Sequence, residues 1–414
     1  MPSNNLAPQL KTHFETNLSR YLALLKQMVD INSFTANPTG INELGQLTAE
    51  AFAPLGFAAE FVQSVIPHYG KHLILTRQGS TSRKIGLVSH LDTVFPPEEE
   101  KRNNFHWREA GDKIYGPGTV DIKGGTVMML MVLEALQKYA PTVFEETTWV
   151  VLLDAAEEAE AEDFGALCIE RLAGADTLAC LIFEGGSFDK QEFKVVVTRK
   201  GMAVYKVVVE GRAAHAGTSH EQGANAIVQL AHTITKIGAM TDYDRHLTYN
   251  VGTITGGTVT NRVPHQAEAR LEMRTFDPEV YEAGVAQMLA LNGTSEVASP
   301  ADGLPCQVTV TVERKTQPWP RNENTDRLYN IWSETAAELG YQTIPEYRGG
   351  LSDGNHFWHV IPSTDGMGPS GKNAHCSEQS ADGSKEQEYV SVSSFVPKAT
   401  LNTLAILKLL GNAE

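Results

Sequence analysis

Four short apolar runs constrain this chain most: HLILT (72–76), KIGLVS (84–89), TWVVLL (148–153) and LACLIF (178–183). Helical stretches separate them. Strands that are apolar at nearly every position are buried on both faces, and helical crossovers between them make a mostly parallel sheet. Leu18, Leu22, Leu25 and Met28 recur near helical spacing, which predicts a first helix over 7–30. TVMMLMVLEALQKYA, after Gly125, is apolar almost all round and predicts a deeply buried helix.

The pattern changes near residue 199. AVYKVVVEG, LTYNVGTIT, QAEARLEMRTF and QVTVTVE read as strands, and GANAIVQLAHTITKIG and PEVYEAGVAQMLALN as helices. Their order, βαββαβ, is that of a ferredoxin-like unit. QAEARLEMR alternates strictly, with Ala267, Ala269, Leu271 and Met273 on one side and charges on the other. Such a sheet has one covered and one free face. Beyond about 315 the α/β pattern returns, with helices near 325–340 and 393–411. The fold class is therefore α/β: a mostly parallel-sheet domain over 1–198 and 315–414, discontinuous, with an α+β ferredoxin-like domain inserted at 199–314.

Composition excludes several functions. The net charge is −16, from 34 Lys and Arg against 50 Asp and Glu. That argues against nucleic-acid and anionic-membrane partners. The four cysteines, Cys168, Cys180, Cys306 and Cys376, form no CxxC pair, which argues against a thiolate metal site. The first residues lack the basic and apolar regions of a secretory signal, so a cytoplasmic location is expected.

Polar residues appear abruptly where the apolar runs stop. KIGLVS leads into His90 and Asp92, TWVVLL into Asp154 and the pair Glu157-Glu158, and LACLIF into Glu184. Ligands of open α/β sheets bind beyond the carboxyl ends of the strands. GPGTVDIKGG places Asp121, and DGMGPSGKNAH places His375, in glycine-rich turns that allow close backbone approach. Two imidazoles with several carboxylates suit zinc, with cobalt or manganese as alternatives, in a hydrolase. Two ions would share Asp121, with His90 and Glu184 on one, His375 and Glu158 on the other, and Glu157 left over as general base. A lone Glu-Glu pair is usually a solvated face; here the convergence of four such features decides. Glu160, Glu162 and Asp163 read as a solvated turn, as does EEEKR at 98–102. His356 and His359 read as sharing one helix. His72 is among the histidines without a ligand context.

The segments SHLDTVFP, GPGTVDIKGG, FEGG, GRAAHAGTSHEQGANA, NRVPHQAEARLEMR, GGLSDGN and GPSGKNAH, with the Glu pair, lie in order from about 85 to 378. In these the chain resembles the M20 family of metallopeptidases, most closely its glutamate carboxypeptidase branch. The resemblance implies two zinc ions on the residues named, Asp92 orienting His90, and Glu157 as base. It implies that His215 stabilises the oxyanion in a partner's site across a homodimer formed by the inserted domain. Asn261 and Arg274 would hold the substrate carboxylate, which the Gly371 backbone N–H could also serve; a surface pairing of Arg274 with Glu272 or Glu268 is the alternative. One departure stands out, because Ala155 and Ala156 precede the Glu pair where the family usually has Asp or Asn next to it. The expected activity is removal of a C-terminal amino acid, Glu or Asp first, from a peptidyl- or acyl-amino acid. The alternatives are a deacylase of the acetylornithine or succinyl-diaminopimelate type and a catalytically silent binding protein.

Overall fold

The strands of the main sheet are β1 (Ala58–Gln63), β2 (Lys71–Arg77), β3 (Lys84–His90), β4 (Thr148–Asp154) and β5 (Thr177–Ile182). The computed structural model describes residues 6–159 and 162–411. The sheet order is β1-β2-β4-β3-β5, completed by the short strand Ser363–Thr364. From β4 to that last strand all pairings are parallel, whereas β1–β2 and β2–β4 are antiparallel. Every residue of β4 is buried, as expected of a central strand covered on both sides.

Alternate residues explain the two covers. Ile85, Leu87, Trp149, Val151, Leu153, Ala179 and Leu181 join one core. That core includes residues of α1 (Ala7–Val29), α2 (Gly124–Tyr139) and the late helices Glu323–Glu338 and Phe395–Gly411. The opposite face meets α3 (Glu162–Leu172): a Cβ on Gly86 would come within 2.4 Å of Leu172 Cδ1. The helix α2 is buried almost throughout, so its all-round apolar sequence is accounted for.

Contacts divide the chain into a unit made of Met1–Val197, Arg321–Tyr347 and Ser352–Glu414, and a second made of Thr198–Pro320 with Arg348–Leu351. The second contains β6 (Gly201–Glu210), α4 (Ala226–Ala239), β7 (Thr248–Gly256), β8 (Gln266–Thr275), α5 (Pro278–Leu289) and β9 (Gln307–Thr316). Its antiparallel sheet runs β7-β8-β6-β9. Ala267, Ala269, Leu271 and Met273 are buried with Leu230 and Ile237 of α4 and Val280 and Met288 of α5. On the other face Lys206 pairs with Glu268 at 3.0 Å and Arg270 with Glu313 at 3.6 Å. The strand β7 lies at the sheet edge, with Ile254 55% exposed.

Some local expectations fail. EEEKR lies in a helical turn, Pro97–Arg102, whose early glutamates and late basic residues match the helix dipole. His356 and His359 share no helix. Ser352 and Asn355 bond reciprocally and close a short 3₁₀ turn that ends at His356. Among the described helices none is long and apolar enough to cross a membrane.

Two glycines separate close packing from chain freedom. A Cβ on Gly125 would lie 2.0 Å from the Phe183 carbonyl oxygen, whereas one on Gly238, exposed in α4, would meet nothing within 4 Å. Calorimetric unfolding should show Gly125→Ala destabilised by ~1–3 kcal/mol, as overpacked interiors are. Gly238→Ala should be stabilised by ~0.5–1 kcal/mol, because alanine restricts the unfolded chain and suits a helix. Equal effects would contradict the packing of α2 on the end of β5.

Candidate metal centre

The parallel ladder sets His90, the last residue of β3, beside Asp154, the last of β4. Loops leaving this edge supply the remaining groups. Asp121 lies in the turn between Gly118, whose φ is +75°, and the start of α2. The Glu388 carboxylate accepts hydrogen bonds from the Val120 and Asp121 N–H groups, at 3.0 and 3.2 Å. Glu184 follows β5, and its carbonyl accepts from the Gly368 N–H at 2.9 Å. His375 sits in a loop in left-handed conformation, φ +65°, with its side chain 54% exposed.

These side chains converge in the first unit. Asp121 Oδ1 lies 3.1 Å from His90 Nε2, and Asp121 Oδ2 lies 3.3 Å from His375 Nε2. Glu184 Oε1 lies 3.8 Å from His90 Nε2, and Glu158 Oε2 lies 3.0 Å from His375 Nε2. One carboxylate thus presents an oxygen to each imidazole. Two ligand groups follow, His90 with Asp121 and Glu184, and Asp121 with Glu158 and His375, each with its donor atoms within 4.8 Å of one another. Glu157 forms a third such group with His90 and Glu158.

The electrostatics agree with the geometry. Burial disfavours charge on His90, yet Asp121 and Asp92 hold its pKa well above the ordinary range. Hydrogen bonds to Asp121 and Glu158 push His375 up to about 11. Burial pushes Glu157 well up, with the charges of Glu158, Glu184 and Asp121 adding to it. The raised histidines report a negative potential, which favours cations. Nitrogen and oxygen donors without thiolate, in such a field, fit a pair of divalent ions.

Asp92 reaches further than orienting His90. Its Oδ1 lies 3.4 Å from His90 Nδ1 and accepts from the Glu157 N–H at 3.1 Å. Its Oδ2 accepts from the Glu158 N–H at 3.2 Å and from the Thr35 hydroxyl at 2.6 Å. Sequence reasoning missed Glu388, Asp353 and Thr35. Asp353 is buried, and its carboxyl is pushed well up by that burial and by Asp154. A buried acid inside GGLSDGN was the available signal. Asp163 is not part of a solvated turn: it lies in the first turn of α3 and bonds His72, as described below.

In the second unit His215 and Asn261 come together. The Ala216 N–H donates to the Asn261 carbonyl at 3.0 Å. His215 Nδ1 accepts from the Gly217 and Thr218 N–H groups, both at 3.1 Å. The neutral ring therefore carries its proton on Nε2. Arg274 is engaged by Glu272, with contacts of 2.9 and 3.1 Å, and by the Gly349 carbonyl at 3.0 Å. Gly371, in the first unit, opens a two-residue strand opposite Val390.

Residues 86–400 match the model of peptidase family M20/M25/M40. The chain is 28% identical over 334 residues to carboxypeptidase G2 of Pseudomonas sp. strain RS-16, covering 80% of this chain and 76% of that one. It is 25% identical over 276 residues to acetylornithine deacetylase of Erwinia tasmaniensis, covering 63% and 69%. A tripeptidase structure from Staphylococcus aureus superposes with a TM-score of 0.75 at 25% identity, covering 95% of this chain and 98% of that chain. A parallel-sheet edge that gathers two imidazoles around one shared carboxylate, and a family match over most of the length, lead to one assignment: this chain is an amide-bond hydrolase belonging to peptidase family M20/M25/M40.

Proposed function

We propose that the chain is a two-zinc exopeptidase that removes a C-terminal amino acid, glutamate or aspartate first, from peptidyl- or acyl-amino acids. Asp121, with one oxygen toward each imidazole, is the observation that carries this reading. His90 and Glu184 would complete one ligand set, and Glu158 and His375 the other. Ions bound there supply Lewis acidity to a scissile carbonyl and to water.

The chain's own groups do the rest. Glu157 takes the proton of the attacking water and delivers it to the leaving nitrogen. Asp92 holds the backbone of Glu157 and the ring of His90, so base and ligand keep one geometry. His215 donates Nε2–H to the developing oxyanion of the partner subunit, within a homodimer assembled through the inserted domain. The exposed edge strand β7 supports that assembly, since an unpaired edge is a template for another strand. Asn261, the Arg274 guanidinium and the Gly371 N–H hold the substrate carboxylate. Arg274 exchanges its bonds to Glu272 and Gly349 for that carboxylate. The similarity to acetylornithine deacetylase supports a second reading, deacylation of an N-acyl-amino acid.

Three experiments test these assignments. Metal analysis should find about two divalent ions per wild-type chain, both lost in Asp121→Ala and one lost in Glu158→Ala. Glu157→Gln should keep both ions and lower kcat by ~10² or more. Exchanged phenotypes for Glu157 and Glu158 would reassign the pair.

Mixing His215→Ala chains with Glu157→Ala chains should restore part of the activity, because a heterodimer keeps one intact combination. A chain that sediments as a monomer while fully active would rule out the shared site.

Acyl-glutamate and acyl-aspartate should be cleaved at least ~10²-fold more efficiently than their C-terminal amides, the scale of leaving a buried charged partner unmatched. Arg274→Ala should erase most of that preference. Equal rates on acids and amides would exclude the exopeptidase reading, and selective cleavage of acetylornithine would favour the second.

A further inference from the structure

The last ladder pair between β2 and β4 is Leu73 with Leu153. One residue further, His72 meets Asp154. His72 Nδ1 lies 3.0 Å from Asp154 Oδ1, and His72 Nε2 lies 3.0 Å from Asp163 Oδ2. Its side chain is 2% exposed, that of Asp154 0% and that of Asp163 13%. The Ala155 N–H also points at Nδ1, at 3.2 Å, so the ring gathers the backbone of this stretch as well as the two carboxylates. Burial lowers its pKa, but the bonds to Asp154 and Asp163 more than offset this and raise it to about 9.

Asp154 and Asp163 bracket the stretch that carries Glu157 and Glu158. Asp154 Oδ1 also accepts from the Ala156 N–H at 2.8 Å, in the step before Glu157. Asp163 Oδ2 accepts from the Val65 N–H at 2.8 Å, and Asp163 Oδ1 from the Phe164 N–H at 3.0 Å. The Phe164 ring lies against the imidazole, centroids 5.3 Å apart. The side chains of Ala155 and Ala156 have no polar group with which to anchor this stretch.

We propose that His72 is a positioning residue: by bonding Asp154 and Asp163 together it clamps both ends of the segment that presents Glu157 and Glu158. The proposal rests on the reading of those two residues as base and ligand. The clamp acts from one side of the segment, and Asp92 from the other through the Glu157 and Glu158 N–H groups. A misplacement of the base by a fraction of a bond length costs rate without costing substrate binding.

Hydrogen exchange followed by mass spectrometry reads the clamp without any substrate. In His72→Leu, and more weakly in Asp163→Asn, peptides covering 155–164 should exchange faster while those of β3 and β5 stay protected. Kinetically, His72→Leu should lower kcat by about tenfold or more with KM changed less than about threefold. Phe144→Leu thins the core beside Trp149 near the start of β4, and at a matched loss of Tm it should keep kcat within about twofold. Should His72→Leu fail to fold, Asp163→Asn decides by the same two readouts. Unchanged exchange over 155–164, or a kcat loss no larger than that of Phe144→Leu, overturns the clamp. A wild-type chain inactive on every acyl-amino acid would sink the hydrolase reading instead, since the exchange pattern is independent of it.

Discussion

The Asp92 carboxylate holds this centre together. It is 1% exposed and accepts from three groups in two parts of the chain, the Glu157 and Glu158 amides and the Thr35 hydroxyl, while the His90 ring bonds the Asp92 backbone carbonyl at 3.0 Å and lies 3.4 Å from the carboxylate. A buried carboxylate is costly unless its lone pairs are satisfied, and two amides and a hydroxyl satisfy them beside the imidazole. The same bonds tie a metal-ligand candidate on β3 to the base candidate after β4. Orientation of the imidazole and placement of the base are therefore one structural variable.

A second layer supports the first. Glu388 fixes the Asp121 backbone, and His72 gathers the segment that follows β4. Neither Glu388 nor His72 belongs to the candidate ligand groups. They set backbone geometry, which a side-chain ligand inherits. Burial raises Glu388 to about 8, with the charge of Asp121 adding to it. Cations bound at the centre would relieve the repulsion among these carboxylates and so would be favoured there.

Much of this was legible in the sequence. The apolar runs ending at His90 and Asp154 located the sheet and its functional edge, because period and burial are local properties. The strict alternation of residues 267–274 identified the covered face of the second sheet for the same reason. Contacts between distant segments were not legible. His72 reads as a histidine without a ligand context and Glu388 carries no signal, since nothing nearby in sequence announces that one meets Asp163 and the other the Asp121 backbone. Asp163 was misread because a run of acids near 160 has the composition of a solvated turn, and only the fold brings His72 to it. For Arg274 the sequence placed the residue on a strand face and offered pairing with Glu272 or Glu268 as the alternative to a substrate carboxylate, and the structure has it on Glu272.

The interrupted course of the first unit has a consequence for how the protein is made. Ribosomal synthesis is vectorial, at roughly 5–20 residues per second. The helix α1 emerges long before Phe395–Gly411, yet the two pack together. His375 also follows the second unit in sequence, so the candidate ligands gather only after that unit has been synthesised. The second unit is almost contiguous and can complete its sheet while the first still waits for its closing helix. Apolar strands of the first unit made before the inserted segment must therefore wait for partners made after it.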